Sequence, residues 1–134
     1  MPDIRERLWT KVALNLATNP LSVVTGTTLA QMFSDPLLQP LILAVANEVR
    51  VVAAAYGSRL TMDDQRMVTV GRAAGPFETS MLQDWRRGAP LELSAIAEAC
   101  IDLGRDKGIE MPVSSAIASL AAFRSGSPAG EAAQ

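Results

Sequence analysis

The strongest constraint on the fold is an apolar stretch, residues 41–56, in which only Asn47, Glu48 and Arg50 are strongly polar. A helix that is apolar on nearly all sides is buried among other helices. Gly57 follows directly and predicts the end of this helix, because glycine tolerates the left-handed backbone that commonly closes one. The stretch therefore predicts one long buried helix.

The rest of the chain predicts further helices, because apolar residues recur at helical spacing and strict alternation is never sustained. A first helix is predicted from Ile4 to about Asn19, where Pro20 marks a break or kink, followed by helical pieces to Phe33. The next predicted helices begin at Asp35-Pro36 (or one turn later, because of Pro40) and at Thr61. Two more are predicted from Ser80 to Arg87 and from about Leu91 to Lys107. The last begins at Pro112, with Val113, Ala116, Ile117 and Leu120 on one face. The prediction is an all-α domain of about six helices around the long buried one.

Length and composition set the domain organisation. The chain has 134 residues, of which 49% are hydrophobic and 19% charged, which is typical of one globular domain. We predict a domain over residues 1–124 and a disordered tail over 125–134, which is small and polar.

Several classes of chemistry are excluded by what the sequence lacks. It has no histidine, so a histidine general base and a His-ligated metal are excluded. The single cysteine, Cys100, excludes an internal disulfide and a CxxC metal or redox site. A net charge of −2 argues against nucleic acid as a partner. No GxGxxG or P-loop pattern occurs, so we expect no cofactor-binding residues in this chain.

A membrane segment and a secretion signal are also not expected. Residues 12–34 lack charge, but they contain two asparagines, a proline and six Ser/Thr, which is too polar for hydrocarbon. The N-terminus carries acids and arginines rather than a basic segment before an apolar run. The sequence predicts a soluble, cytoplasmic protein without a membrane partner.

Three polar residues of the first helix form a candidate site. Lys11, Asn15 and Asn19 are four residues apart, which aligns their side chains along one stripe. A lysine can donate a proton, and an asparagine can both donate and accept hydrogen bonds. Simpler roles are open: Asn19 could end the helix, Asn15 could satisfy a buried backbone group, and Lys11 could extend into solvent.

A second polar cluster runs from Glu78 through Thr79 and Ser80 to Glu92. Ordinary helix capping accounts for it as well as a binding site does, with Thr79 or Ser80 as the cap of one helix and Glu92 in the first turn of the next.

Together the clusters resemble the C-terminal domain of ketopantoate reductase (2-dehydropantoate 2-reductase), whose fold is similar to the C-terminal domain of 6-phosphogluconate dehydrogenase. The resemblance rests on residues 8–21 (LWTKVALNLATNPL), on residues 79–92, which resemble a Ser-Ser-Met-x-x-Asp segment leading to Glu-Ile-Asp, and on Gly108-Ile109-x-x-Pro112. Glu48 matches a common glutamate that precedes small apolar residues and a glycine. The resemblance covers about residues 4–123.

The resemblance implies that two domains have different roles in the reaction. In that family a Rossmann domain binds NADPH, and the helical domain closes over the active site. It implies that Lys11 is the general acid, that Asn15, Asn19 and Ser80 bind substrate, and that Glu92 contacts a substrate hydroxyl and helps to position the lysine. The implied reaction reduces ketopantoate to pantoate on the route to coenzyme A.

Departures from the family pattern bear on the substrate. The family Glu-Ile-Asp is Glu92-Leu93-Ser94 here, and Glu98 stands where the family has glycine. Another 2-oxo acid is therefore open as the substrate.

We expect these residues to be inactive without a Rossmann domain, supplied in cis or in trans, because the cofactor carries the hydride. A homodimer is possible. The alternative is a free-standing helical oligomerisation or binding module with no catalytic role.

Overall fold

The computed structural model of the protein describes residues 3–90 and 94–126. Within these residues the chain forms seven α-helices and no strand, which confirms the all-α prediction. The helices are α1 (Ile4–Thr25), α2 (Leu29–Ser34), α3 (Gln39–Ala55), α4 (Asp64–Ala73), α5 (Ser80–Arg86), α6 (Ala99–Asp106) and α7 (Pro112–Ser125), and a π-helical stretch, Ser94–Glu98, precedes α6.

Helix α1 continues through Pro20, so of the two outcomes predicted there, a break or a kink, the break is wrong. Proline removes one backbone donor, which is a local cost. Leu21 and Val23, just beyond it, are almost fully buried. Packing of this kind supplies most of the stability of a helix in a protein, so it holds the last turns in place. The helix ends at Gly26, which has a left-handed φ of 69° and donates its N–H to the Ser22 carbonyl over 2.7 Å.

Helix α3 begins at Gln39, one turn after Asp35-Pro36, as Pro40 suggested. The Asp35 carboxylate caps the turn before it, accepting from Leu37 N–H over 2.7 Å and from Leu38 N–H over 3.2 Å. The predicted burial on nearly all sides is too strong, because Leu41 and Val51 of α3 are 38% and 46% exposed. Helix α1 shares the centre of the domain with α3, packing against it and against α2, α5 and α7.

Helix α4 begins at Asp64 rather than at the predicted Thr61. Asp63 is its cap and accepts from Arg66 N–H over 2.8 Å. Thr61 instead bonds to α1, since its N–H donates to the Thr10 hydroxyl over 2.8 Å. A long-range bond of this kind leaves no sign in the sequence, which explains the early prediction. Helix α5 lies where it was predicted, one residue shorter at its end.

The segment predicted as one helix over residues 91–107 is divided. Its first residues, 91–93, lie outside those described. Residues 94–98 have the wider π-helical turn, and regular α-helix begins only at Ala99. This stretch packs against α1 and α7, and such packing is invisible to a search for helical spacing. A π-helical turn is often found at functional sites.

Helix α7 buries a different face from the one predicted. Ser114, Ile117 and Ala121 are buried, whereas Ala116 and Leu120 are exposed. The reason lies at its first turn, where Glu48 of α3 holds the helix. The Glu48 carboxylate accepts from Val113 N–H over 2.9 Å, and from Ser114 N–H and hydroxyl over 2.8 and 2.7 Å.

The predicted tail, 125–134, overlaps α7, which includes Ser125. From residue 127 onward it lies outside the described residues, so the boundary after residue 124 and the disorder stay predictions.

Two clusters of buried side chains support the fold. The large cluster joins α1, α2, α3, α4, α6 and α7. The small one consists of Val23, Met81, Leu82, Trp85 and Ala121, and it holds α5 against α1 and α7. Trp85 also donates its indole N–H to the Arg124 carbonyl over 3.1 Å.

The single thiol is buried in the large cluster. Burial raises the pKa of Cys100 to about 11. At pH 8 only about one thiol in a thousand is then ionised, and the thiolate is the reactive form. We therefore expect a thiol reagent to label the native chain slowly, and to label it fast once urea unfolds it, as followed by absorbance. Fast labelling under native conditions would contradict the burial of Cys100.

No helix in the described part of the chain is long and apolar enough to cross a membrane.

Candidate active site

One groove brings most of the predicted site residues together. It has a volume of about 390 Å³ and lies where α1, α2, α4 and the start of α5 meet. Its lining consists of Leu14, Asn15, Thr18, Asn19, Leu29, Phe33, Val70, Gly71, Ala74, Glu78, Thr79 and Ser80. Three of the five residues proposed from the sequence, Asn15, Asn19 and Ser80, are therefore neighbours on one surface.

Asn15 and Asn19 lie one turn apart on α1, and both are partly buried. Among the described residues, no hydrogen bond joins the Asn15 amide to another group, so the interpretation that it satisfies a backbone group has no support there. Asn19 does not end the helix, since α1 continues for six more residues to Thr25. Its side chain has only a long contact, 3.5 Å, from the Thr18 hydroxyl. Both amides are therefore available to a ligand.

Ser80 is the first residue of α5, and its side chain is exposed at the groove. The cap of this helix is Thr79, whose hydroxyl accepts from Leu82 N–H over 3.1 Å. This decides between the two caps that the sequence allowed. Because Thr79 does the capping, the hydroxyl of Ser80 is left for other partners.

Lys11 lies outside the lining of the groove, and it is exposed. It stands one turn before Asn15 on α1, which corresponds to about 6 Å along the helix axis. An extended lysine side chain spans that distance. Lys11 is thus within side-chain reach of Asn15, on the same helix as the two asparagines.

Glu92 lies outside the described residues. Ile96, in the π-helical stretch, lines a small cavity together with Asn15 and Asn19. The π-helical stretch therefore borders the two asparagines of α1.

Sequence reasoning missed several groove residues. The Thr18 hydroxyl donates to the Leu14 carbonyl over 2.7 Å, and Glu78 accepts from Arg86 over 2.8 Å, so both already have partners. Glu78 was part of the second polar cluster in the sequence. Nothing in the sequence pointed to Thr18 as a groove residue except that it precedes Asn19.

The groove also has an apolar wall, formed by Leu29, Phe33, Val70 and Ala74. The sequence carried no signal for this wall, because the wall depends on how α2 packs against α4. Gly71 makes that meeting possible. A Cβ at this position would come within 2.2 Å of the Phe33 ring.

Apart from Glu78, which is paired with Arg86, the polar residues of the groove are neutral, and they lie beside an apolar wall. Two amides and a hydroxyl can bind a carboxylate or hydroxyl group of a small acid without adding charge. Among the described residues, no group of three or more His, Cys, Asp or Glu could hold a metal ion.

Residues 3–125 match a protein-family model described as "Ketopantoate reductase PanE/ApbA C terminal". The chain belongs to this family. The match covers all seven helices and both polar clusters, and it confirms the resemblance found in the sequence.

Individual relatives agree with the family. A 2-dehydropantoate 2-reductase from Mesorhizobium japonicum is 36% identical over 103 residues, which are 77% of this chain and 32% of that protein. One from Archaeoglobus fulgidus is 30% identical over 118 residues, which are 88% of this chain and 40% of that protein. The ketopantoate reductases are thus oxidoreductases, and this chain spans about a third to two-fifths of the length of these relatives.

Solved structures share the fold. The crystal structure of 2-dehydropantoate 2-reductase from Methylococcus capsulatus has a TM-score of 0.81 and 30% identity, over 90% of this chain and 42% of that one. A D-mandelate dehydrogenase solved with NADH has a TM-score of 0.84 over 96% of this chain and 45% of that one. At 19% identity, this second likeness shows a common fold alone.

Proposed function

We propose that this chain is the substrate-binding and general-acid half of an NADPH-dependent 2-oxo acid reductase, which reduces ketopantoate to pantoate or acts on a similar acid. The observation that carries the proposal is the groove itself. Asn15, Asn19 and Ser80 come from two separate family motifs, 61 residues apart between Asn19 and Ser80, yet they line one surface. Family membership alone would not require their side chains to be free of other partners.

The chemistry of the residues fits a ketone reduction. A hydride that arrives at a ketone carbon leaves negative charge on the oxygen. The ammonium group of Lys11, one turn before Asn15, would stabilise this charge and then donate a proton to the oxygen. Asn15 and Asn19 would orient the acid by hydrogen bonds, and Ser80 would bind its carboxylate from the opposite wall.

Glu92 is proposed to contact the substrate hydroxyl and to help position Lys11. One observation supports this role. Ile96, four residues after Glu92 in the sequence, shares a small cavity with both asparagines.

A nicotinamide cofactor, when bound, supplies the hydride. The residues of this chain do not suit its phosphates, since no glycine-rich phosphate-binding pattern occurs. We propose that a Rossmann domain, in cis or in trans, holds the cofactor opposite the groove, and that these residues alone reduce nothing.

The proposal includes a homodimer. It is supported by a ketopantoate reductase from Staphylococcus aureus that is described as dimeric. That protein is 25% identical, with a TM-score of 0.75 over 93% of this chain and 44% of that one. Location in the cytoplasm stays a prediction.

Pantoate binding tests the proposed site directly. We expect the chain to bind pantoate weakly, and Asn15→Ala, Asn19→Ala and Ser80→Ala each to raise the Kd about tenfold or more, because each loses a hydrogen bond to a charged or polar group. Isothermal titration calorimetry gives the Kd. Asn47→Ala is the matched control, since Asn47 is exposed on α3 and absent from the groove lining.

Two results would contradict the proposed site. One is pantoate binding that the three groove variants leave unchanged. The other is no pantoate binding together with a tight dimer, which would favour the alternative of an oligomerisation module without a catalytic role.

A further inference from the structure

Two buried hydroxyl groups join the two walls of the groove. Ser22 of α1 is 0% exposed and Thr79 is 6% exposed. Their oxygens lie 2.6 Å apart, although the residues are 57 positions apart in the chain. Ser22 also donates its hydroxyl to the Asn19 carbonyl over 2.7 Å, and Thr79 accepts from Leu82 N–H over 3.1 Å.

The direction of each hydrogen bond follows from counting protons. A hydroxyl has one proton to donate, and Ser22 uses it on the Asn19 carbonyl. The short contact therefore has Thr79 as its donor and Ser22 as its acceptor. The result is one continuous chain: Leu82 N–H to Thr79, Thr79 to Ser22, and Ser22 to the Asn19 carbonyl. We call it the hydroxyl chain.

The hydroxyl chain ends at both sides of the groove. At one end it holds the backbone of Asn19, and at the other it fixes Thr79, the residue directly before Ser80. Both hydroxyl protons have a partner, and a buried hydroxyl without its partner is costly. A hydrogen bond of 2.6 Å therefore joins α1 to the cap of α5 beside the groove.

We propose that Ser22 is a positioning residue which, through Thr79, keeps Ser80 at the distance from Asn19 that the substrate requires. The inference rests on the proposed function, because it assumes that Asn19 and Ser80 bind one molecule. Ser22 itself does not line the groove. Its effect on binding is therefore indirect, through the separation of the two walls.

A second hydroxyl pair in the same protein provides a matched control. Thr10 is 5% exposed, donates to the Glu6 carbonyl over 2.7 Å and lies 3.1 Å from the Thr61 hydroxyl. It too joins α1 to a distant residue, but neither threonine lines the groove. Thr10→Ala and Ser22→Ala therefore each remove a buried hydroxyl that joins α1 to a distant residue, and only the second removes one next to the site.

The test measures pantoate affinity and unfolding in the full chain. We expect Ser22→Ala and Thr10→Ala both to lower the midpoint of urea unfolding, while only Ser22→Ala raises the Kd for pantoate, by about ten- to a hundredfold, because small displacements of binding groups have effects of this size. A Ser22→Ala chain that binds pantoate as wild type does would overturn the inference.

A crystal structure of Ser22→Ala provides a readout that needs no ligand. We expect Ser80 to lie farther from Asn19 than in the wild type, and an unchanged separation would overturn the inference. If the wild-type chain fails to bind pantoate, the proposed function fails, and the separation in this crystal structure still decides whether the hydroxyl chain sets the width of the groove.

Discussion

Replacement of Lys11 by alanine is expected to lower kcat by about 10²–10⁴-fold, the usual contribution of a positioned general acid. The assay is ketopantoate-dependent NADPH oxidation by this chain together with a nucleotide-binding domain of its family. Lys11→Arg should be nearly as inactive. A guanidinium keeps the positive charge but does not give up its proton in proteins, so it can bind the acid and not protonate the product.

Lys107 provides the control, because the chain has only two lysines. Its ammonium lies 4.8 Å from the centre of the Tyr56 ring, and it lines no part of the groove. Lys107→Ala should therefore retain wild-type kcat. Equal losses for the two variants, or a Lys11→Ala enzyme with normal kcat, would remove Lys11 from the mechanism.

The second large effect concerns stability. Glu48→Ala is expected to lower the free energy of unfolding by about 2–4 kcal/mol, because two backbone N–H groups and the buried Ser114 hydroxyl lose a charged acceptor. Glu48→Gln should lose less, since its amide oxygen still accepts one of these bonds. Urea unfolding followed by circular dichroism gives the free energies.

Asn47→Ala serves as the control for Glu48. Asn47 is the preceding residue of α3 and is exposed, and its side chain makes no hydrogen bond to another described residue. Its replacement should change the free energy of unfolding by less than about 0.5 kcal/mol. A loss for Glu48→Ala no larger than that for the control would show that the carboxylate does not hold α7.

Local patterns sufficed for much of the fold and part of the site. Helical spacing placed Lys11, Asn15 and Asn19 on one stripe of α1, and the observed helix keeps that spacing. Gly57 closes α3 with a φ of 73°, as a glycine after an apolar run suggests. Each of these features depends only on residues within about two turns of one helix, so the sequence contains the whole cause.

Features that depend on tertiary packing could not be predicted in the same way. Pro20 is a helix breaker by propensity, and only the burial of Leu21 and Val23 keeps α1 intact beyond it. The resemblance pointed to Glu48, but its bonds to the start of α7 cross 65 residues of sequence. The contact of Phe33 with Gly71 also depends on tertiary packing, because it exists only when α2 and α4 meet.

The two buried clusters differ in size, and this difference divides the groove mechanically. The wall that carries Asn15 belongs to a helix embedded in the large cluster, whereas α5, with Ser80 at its start, depends on only five buried side chains. Segments with few buried contacts open at a lower free energy than the global unfolding of a domain. The α5 wall is therefore expected to open at a lower free energy than the α1 wall, while the large cluster stays folded.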